Sequence, residues 1–307
     1  MQKSDSNLKP SNERMLNIGC GRRYHRDWVN LDLESSDSNV IRHDVNKGIP
    51  FEQGRFDAVY HSHILEHLEP ADGQNLIQEC YRVLKPGGVL RIVVPDLECI
   101  ARLYLEMHQE AWSGDETSQI NYNWMKLELL DQLVRRDSGG RMGRYMASRE
   151  IKNSEFVRSR IGDEFSICQS HGQAEQLTSL PLLKRIGRMS SGLRRNLSRT
   201  LVRLLLGTDA VAAFDEGLFR REGEIHRWMY DRFSLRNLTE SVGFENFTVC
   251  EAFESQISDY ASYELDAVDD SVRKPDSIFV ECQKPLNVGA AGSDVGSEKT
   301  EPSRIAA

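Results

Sequence analysis

Arg14-Met15-Leu16-Asn17-Ile18-Gly19-Cys20-Gly21, followed eleven residues after Gly21 by Asp32, is the stretch that sets the frame for this chain. An apolar run of the kind found in buried parallel strands breaks into a turn carrying two glycines. Glycine reaches φ > 0 without penalty and leaves the backbone bare for a ligand. The next apolar segment, Trp28-Val29-Asn30-Leu31-Asp32-Leu33, carries an acid near its end. A carboxylate there can accept both hydroxyls of a ribose. The expectation is a nucleoside-containing ligand lying across the carboxyl ends of a parallel sheet.

Working outward, Trp28 comes only seven residues after Gly21, too soon for a full crossover helix. A loop or single helical turn is expected there. Asn39–Asp44 reads as a third strand and Phe56–Tyr60 as a fourth, leading into His61-Ser62-His63-Ile64-Leu65-Glu66-His67. Ala71–Leu84 has apolar residues at helical spacing and is stopped by Lys85-Pro86-Gly87-Gly88. Val89–Val94 is a fifth strand. Strand, connection, strand, helix, strand implies an α/β, doubly wound, Rossmann-like sheet.

Five segments follow from composition: a flexible N-terminus at 1–12, a ligand-binding half at 13–96, a mainly helical insertion at 97–225, a second half of the sheet domain at 226–285, and a disordered tail at 286–307. Residues 97–136 look helical, with a break at Ser113-Gly114, whereas 137–225 look irregular around a basic segment. That segment, Lys184–Leu206, holds seven basic residues and no acid, with Leu193, Leu197, Leu201, Leu204 and Leu205 on one helical face. Phe233–Val242 reads as a helix closed by Gly243, with Ser234 the expected cap. Asn246–Phe253 and Ser277–Cys282 read as the last two strands.

The chain has 307 residues and a formal net charge of -8, which argues against general nucleic-acid binding. No apolar run approaches the ~20 residues of a membrane span, and no signal peptide is visible, so a cytoplasmic protein is expected. Six scattered cysteines without a C-x-x-C pair suit reduced thiols. No His/Cys cluster has ligand spacing along the chain, so no metal is expected. The basic segment is a candidate for peripheral contact with the inner membrane surface, or for a solvated helix face.

The chain resembles the class I S-adenosylmethionine-dependent methyltransferases of the broad type 11 group. The resemblance rests on Leu16–Gly21, Asn30-Leu31-Asp32, His43-Asp44-Val45, Phe56–Val59, Leu65-Glu66-His67-Leu68 and Tyr81–Leu90. More narrowly it is similar to bacterial methyltransferases of polysaccharide or glycan biosynthesis. That likeness rests on the short Gly21–Trp28 link, Val93–Glu98, His226–Leu235 and Arg273–Ser277. The resemblance implies a seven-stranded sheet ending in an antiparallel hairpin. It implies S-adenosyl-L-methionine as cofactor, with Gly19, Cys20 and Gly21 beneath it, Asp32 on its ribose, and Asp44 and Val45 on its adenine. Backbone carbonyls around His61 would hold its ammonium group.

Candidate bases for the acceptor are His63 and His226, whose unperturbed pKa suits proton abstraction near neutrality. Asp231 joins them as a candidate in the pocket wall, with helix capping as the competing role. His67 reads as a packing or capping residue. The link Asp259–Lys274 is expected to cover part of the site.

The function expected is O-methylation of a sugar hydroxyl on a glycan or its lipid- or nucleotide-linked precursor. Rivals are methylation of a small natural product or amine, and a module that binds the cofactor without turnover. A NAD-dependent oxidoreductase would need a third glycine where Tyr24 stands and a later acid than Asp32.

Overall fold

A computed structural model describes residues 14–148, 150–174, 195–221 and 223–286. The terminal segments expected to be flexible or disordered (1–12 and 286–307) lie outside these residues apart from Leu286, as does 184–194 of the basic segment.

Seven strands form one sheet: β1 Met15–Ile18, β2 Val29–Asp32, β3 Val40–Arg42, β4 Phe56–Ser62, β5 Leu84–Pro95, β6 Glu245–Cys250 and β9 Ser277–Gln283. Their order is β3-β2-β1-β4-β5-β9-β6. β1 to β5 are parallel, and β9 runs antiparallel between β5 and β6. The order reverses between β1 and β4, so the carboxyl ends of those strands open a crevice where ligands bind in open α/β sheets.

The two faces of the sheet are covered differently. α1 (Pro70–Val83) and α9 (Arg232–Val242) cover one face. Leu76, Ile77, Cys80 and Val83 of α1 and Leu235 of α9 pack on Leu16, Ile18, Leu31, Leu90, Ile92 and Val280. The other face is closed by the link between β6 and β9. Ala252, Ile257, Tyr260 and Leu265 from that link pack on Met15, Trp28, Tyr60, Val93 and Phe279. The link holds a short hairpin, β7 Ala267–Val268 with β8 Ser271–Val272.

Arg91 makes the polar anchor of this second face. Its guanidinium is fully buried and donates to Asp266 and Glu281 at 2.8 Å each. Tyr60 and Tyr260 also donate to Asp266, at 2.6 Å each.

The insertion is more regular than its sequence suggests. α2 (Leu97–Trp112) and α3 (Glu116–Val134) meet the expected break at 113–114. The stretch expected to be irregular instead contains α4 (Gly140–Met146), α5 (Ser154–Ile161), α6 (Asp163–Ala174), α7 (195–206) and α8 (Thr208–Arg221). The reason is composition: α4 and α5 bury Met142, Met146, Val157 and Ile161 against Trp124 and Met125, and spaced methionines give a weak apolar period. Inside this core Arg160 pairs with Glu128 at 2.6 Å, and Glu128 accepts from the Trp124 indole at 2.9 Å.

Candidate active site

Two clefts meet at Gly19. The larger, about 580 Å³, is lined by Asp32, His43, Asp44, Val45, Ile64, His67 and Arg227 among others. The smaller, about 230 Å³, is lined by Gly19, Cys20, Gly21, Ser62, His63, Asp266, Arg273 and Lys274 among others. One lies along the β2–β3 ends and the other over the β4–β5–β9 ends.

The glycine turn is built as its sequence suggests. Gly19 and Gly21 have φ of +63° and +55°. A Cβ on Gly19 would overlap the Ile64 side chain, whereas one on Gly21 would meet nothing within 4 Å. Gly19 therefore permits a close approach between two loops, and Gly21 keeps open space in the cleft.

Asp32 closes this turn from the other side. Its Oδ2 accepts from the Gly21 amide at 2.8 Å and its Oδ1 from Glu34 at 2.9 Å. Each oxygen keeps a lone pair for a further donor. Asp44 caps the short 3₁₀ turn Val45–Lys47 by accepting from the Asn46 amide at 3.1 Å.

The loop after β4 carries the reactive side chains. His63 sits at φ +54°, a left-handed conformation uncommon outside glycine and characteristic of functional turns. Its Nε2 is 2.9 Å from Ser277 Oγ and its Nδ1 is 3.0 Å from Glu66 Oε1. Glu66 is fully buried. His67 Nδ1 lies 3.1 Å from the Ile225 carbonyl, and its ring meets His226 edge to face at 4.9 Å. The Glu66 carbonyl accepts from the amides of Arg227 and Trp228 at 2.7 and 3.2 Å, which ties the return segment to this loop.

The side chains of the other expected site residues lie outside the two clefts, and the expectation at His61 concerned backbone carbonyls rather than its ring. His61 is fully buried inside β4, neither ring nitrogen has a hydrogen-bond partner, and its side chain lines neither cleft. Burial pushes its pKa down to about 4, against a smaller opposing pull from Glu66. His226 lines neither cleft and is only 4% exposed. Burial is the main cause that holds its pKa down to about 3, so the ring is neutral at neutral pH. Asp231 is the N-cap of α9: it accepts from the Ser234 amide at 2.7 Å, and Ser234 Oγ accepts from the Asp231 amide at 2.9 Å. Asp231, not Ser234, is therefore the cap, and its carboxylate is committed to the helix start. Ring orientation and helix position cannot be read from a short polar block such as His226–Asp231, which is why these candidates looked alike.

Asp266 falls inside the 259–274 link expected to cover the site, and Glu66 and Ser277 stand inside quoted motifs without an individual role; Arg91 was not singled out. Only Arg91, a cation inside an apolar strand run, carried a visible signal.

Residues 21–92 match the family model described as a methyltransferase domain. A probable S-adenosylmethionine-dependent methyltransferase of Mycolicibacterium smegmatis is 28% identical over 99 residues, covering 27% of this chain and 38% of that protein. An uncharacterized methyltransferase of Synechocystis is 44% identical over 45 residues, covering 15% and 21%. The chain thus spans less than half the length of these relatives. Among solved structures, a SAM-dependent methyltransferase of Archaeoglobus fulgidus aligns over 89% of this chain and 86% of its own at 12% identity and TM-score 0.34. A 1,6-didemethyltoxoflavin-N1-methyltransferase of Burkholderia thailandensis, crystallised with S-adenosylhomocysteine, aligns over 27% and 45% at 20% identity and TM-score 0.24.

The resemblance implies S-adenosylmethionine as the cofactor, and the cradle fits it. Gly21 leaves space that a Cβ would fill, and Asp32 ends β2 with lone pairs to spare beside it.

Proposed function

We propose that this protein is an S-adenosylmethionine-dependent methyltransferase that O-methylates a sugar hydroxyl of a glycan, or of its lipid- or nucleotide-linked precursor. The observation that carries the choice of a hydroxyl is His63, which lines the smaller cleft with the buried Glu66 carboxylate 3.0 Å behind it. Free amines and carboxylates need no base, whereas a hydroxyl must lose its proton.

Asp32 would hold the ribose, Asp44 and Val45 the adenine, and the 19–21 turn the amino-acid end of the cofactor. When bound, the cofactor supplies a methyl group on a sulfonium, open to in-line displacement. With the Glu66 carboxylate 3.0 Å from Nδ1 favouring the proton on that nitrogen, the His63 Nε2 lone pair is free to take the proton of an acceptor hydroxyl. Ser277 occupies that position now at 2.9 Å and would be displaced by, or relay to, the acceptor. Arg273 and Lys274 border the same cleft, held there by Asp163 at 3.2 Å and Glu164 at 2.9 Å from α6. Two cations at the mouth favour an acceptor that carries phosphate or carboxylate.

A lipid-linked acceptor draws support from α7. Leu197, Leu204 and Leu205 are more than 60% exposed on a helix that also carries Arg195, Arg199 and Arg203. Exposed leucines flanked by cations suit the interface of an anionic membrane. Among the described residues no helix is long and apolar enough to cross one.

The test supplies methyl-labelled cofactor and purified protein to an extract of demethylated source cells, then separates lipid, polysaccharide, protein and small-molecule fractions. Label in lipid or polysaccharide is expected. Label only among small molecules would move the assignment to a natural product or amine. Cofactor binding with no label in any fraction would point to a binding module.

A further inference from the structure

Glu66 presents a problem that methyl transfer alone does not explain. Its side chain is fully buried, yet neither carboxylate oxygen receives an aligned hydrogen bond, although His63 Nδ1 stands 3.0 Å from Oε1. An ion taken out of water without full partnering costs several kcal/mol. Four of the eight histidines in the chain are gathered within electrostatic reach of this one carboxylate: His61, His63, His67 and His226. Two of them, His61 and His226, are buried, and the other two line the clefts.

We propose that Glu66, His67 and His226 form a binding site for a divalent first-row transition-metal ion of the zinc or iron(II) type. One ligand atom from each residue lies within 4.8 Å of the others. A four-coordinate site with bonds of 2.0–2.1 Å has ligand edges of about 3.3 Å, so small side-chain rotations close the set. Two imidazoles and a carboxylate are a donor set suited to such ions, with positions left open for water or substrate.

The ligand orientation supports the assignment. His67 Nδ1 is held by the Ile225 carbonyl at 3.1 Å, which fixes the proton there and leaves Nε2 with its lone pair toward Glu66, 4.0 Å away. Metal-bound histidines are held in this way by an outer carbonyl or carboxylate. The His226 ring meets His67 edge to face at 4.9 Å, and its backbone is pinned by the Gln132 carbonyl at 3.0 Å. His67 is half-buried and lines the larger cleft, which gives the ion a route from solvent. Glu66 and His67 are neighbours and His226 lies about 160 residues on, so no spacing pattern betrays the set; the expectation of no metal looked only along the chain.

An ion here would join the β4 loop to the return segment at 225–228, fixing the loop that carries His63. The site does not depend on the identity of the methyl acceptor.

The test uses the full chain, purified without an affinity tag rich in histidine, stripped with chelator and titrated with Zn²⁺ alone. One equivalent bound at micromolar affinity or tighter is expected, with a matching rise in melting temperature. Co²⁺ in its place should give visible bands of a low-coordinate N/O site. Glu66→Gln and His67→Gln should each weaken Zn²⁺ by about 100-fold, whereas His108→Gln, an imidazole on α2, should change nothing. Should Glu66→Gln fail to fold, the half-buried His67→Gln decides. Affinity weaker than about 1 mM, or affinity unmoved by His67→Gln, overturns the proposal. Cofactor affinity measured on the same stripped protein tests the methyltransferase reading separately.

Discussion

His63 Nδ1 stands 3.0 Å from Glu66 Oε1, three residues along a loop whose first residue is held at positive φ. That conformation turns the imidazole back on a carboxylate of its own loop while its other nitrogen reaches Ser277 on β9. The adjacent carboxylate favours the tautomer with the proton on Nδ1 and a basic lone pair on Nε2. His63→Gln should lower kcat on a hydroxyl acceptor by about 10²–10⁴ and leave cofactor affinity within about twofold. Turnover at the wild-type rate would remove His63 as the base.

Asp32 carries the cofactor assignment. Its carboxylate is held by the Gly21 and Glu34 amides, so it is fixed before any ligand arrives. Two charge-assisted hydrogen bonds to ribose are each worth about 1.5–3 kcal/mol. Asp32→Ala should weaken S-adenosylmethionine by at least about tenfold by calorimetry, with the fold retained by circular dichroism. A change below about twofold would show that the ribose lies elsewhere.

Gly19 and Gly21 should separate stability from binding. Both would put alanine at positive φ, at a cost of about 1 kcal/mol. Gly19→Ala adds a clash with Ile64, so its melting temperature should fall further than that of Gly21→Ala, and Ile64→Ala should restore part of the loss. Gly21→Ala meets open space and should fold, yet bind cofactor poorly because its Cβ stands in the cleft. Equal melting temperatures for the two variants would contradict this geometry.

How much of this could be read beforehand depended on whether the determinant was local. The Gly19-Cys20-Gly21 turn, the acid ending β2 and the stop at Lys85–Gly88 are each fixed by neighbours in sequence, and the sheet they imply is the one observed. The hairpin at β6 and β9 followed from resemblance, because two short apolar runs do not state their partner. His226 and Asp231 look equivalent on paper. One is buried against His67 and the other caps α9, and only packing decides that. The Arg91 network joins residues 60, 91, 260, 266 and 281, so no local pattern could reveal it.

That network is expected to anchor the cover of the smaller cleft. Arg91 is held by Asp266 and Glu281 and stacks over Tyr260 at 4.4 Å, and Asp266 itself lines the cleft. Removing one partner of a buried ion pair leaves the others uncompensated and costs about 3–5 kcal/mol. Arg91→Met should lose stability in that range by denaturant unfolding. The double change Arg91→Met with Asp266→Asn should recover part of it, since the stranded charge is reduced. A loss under about 1 kcal/mol for the single variant would show that the buried ions are not tightly coupled.

Asp276, next to Ser277, gives the pH prediction. It is 8% exposed, and burial is the main cause that raises its pKa to about 6. His63 and Lys274 oppose the rise, while Glu128 and Glu164 add to it. An unfolded aspartate titrates near 3.9. Below about pH 4 the carboxyl is protonated in both states and its contribution to stability is fully present. Between about pH 4 and 6 the unfolded chain ionises first, so that contribution is lost as pH rises, up to about 3 kcal/mol by neutrality. Asp276→Asn cannot ionise. Its stability relative to wild type should therefore climb between pH 4 and 6.5 and level off above. Groups such as Glu66 titrate in both proteins and cancel in that difference. A flat difference across this range, measured by urea unfolding at matched ionic strength, would mean that Asp276 is ionised in the folded protein at the ordinary carboxylate pH.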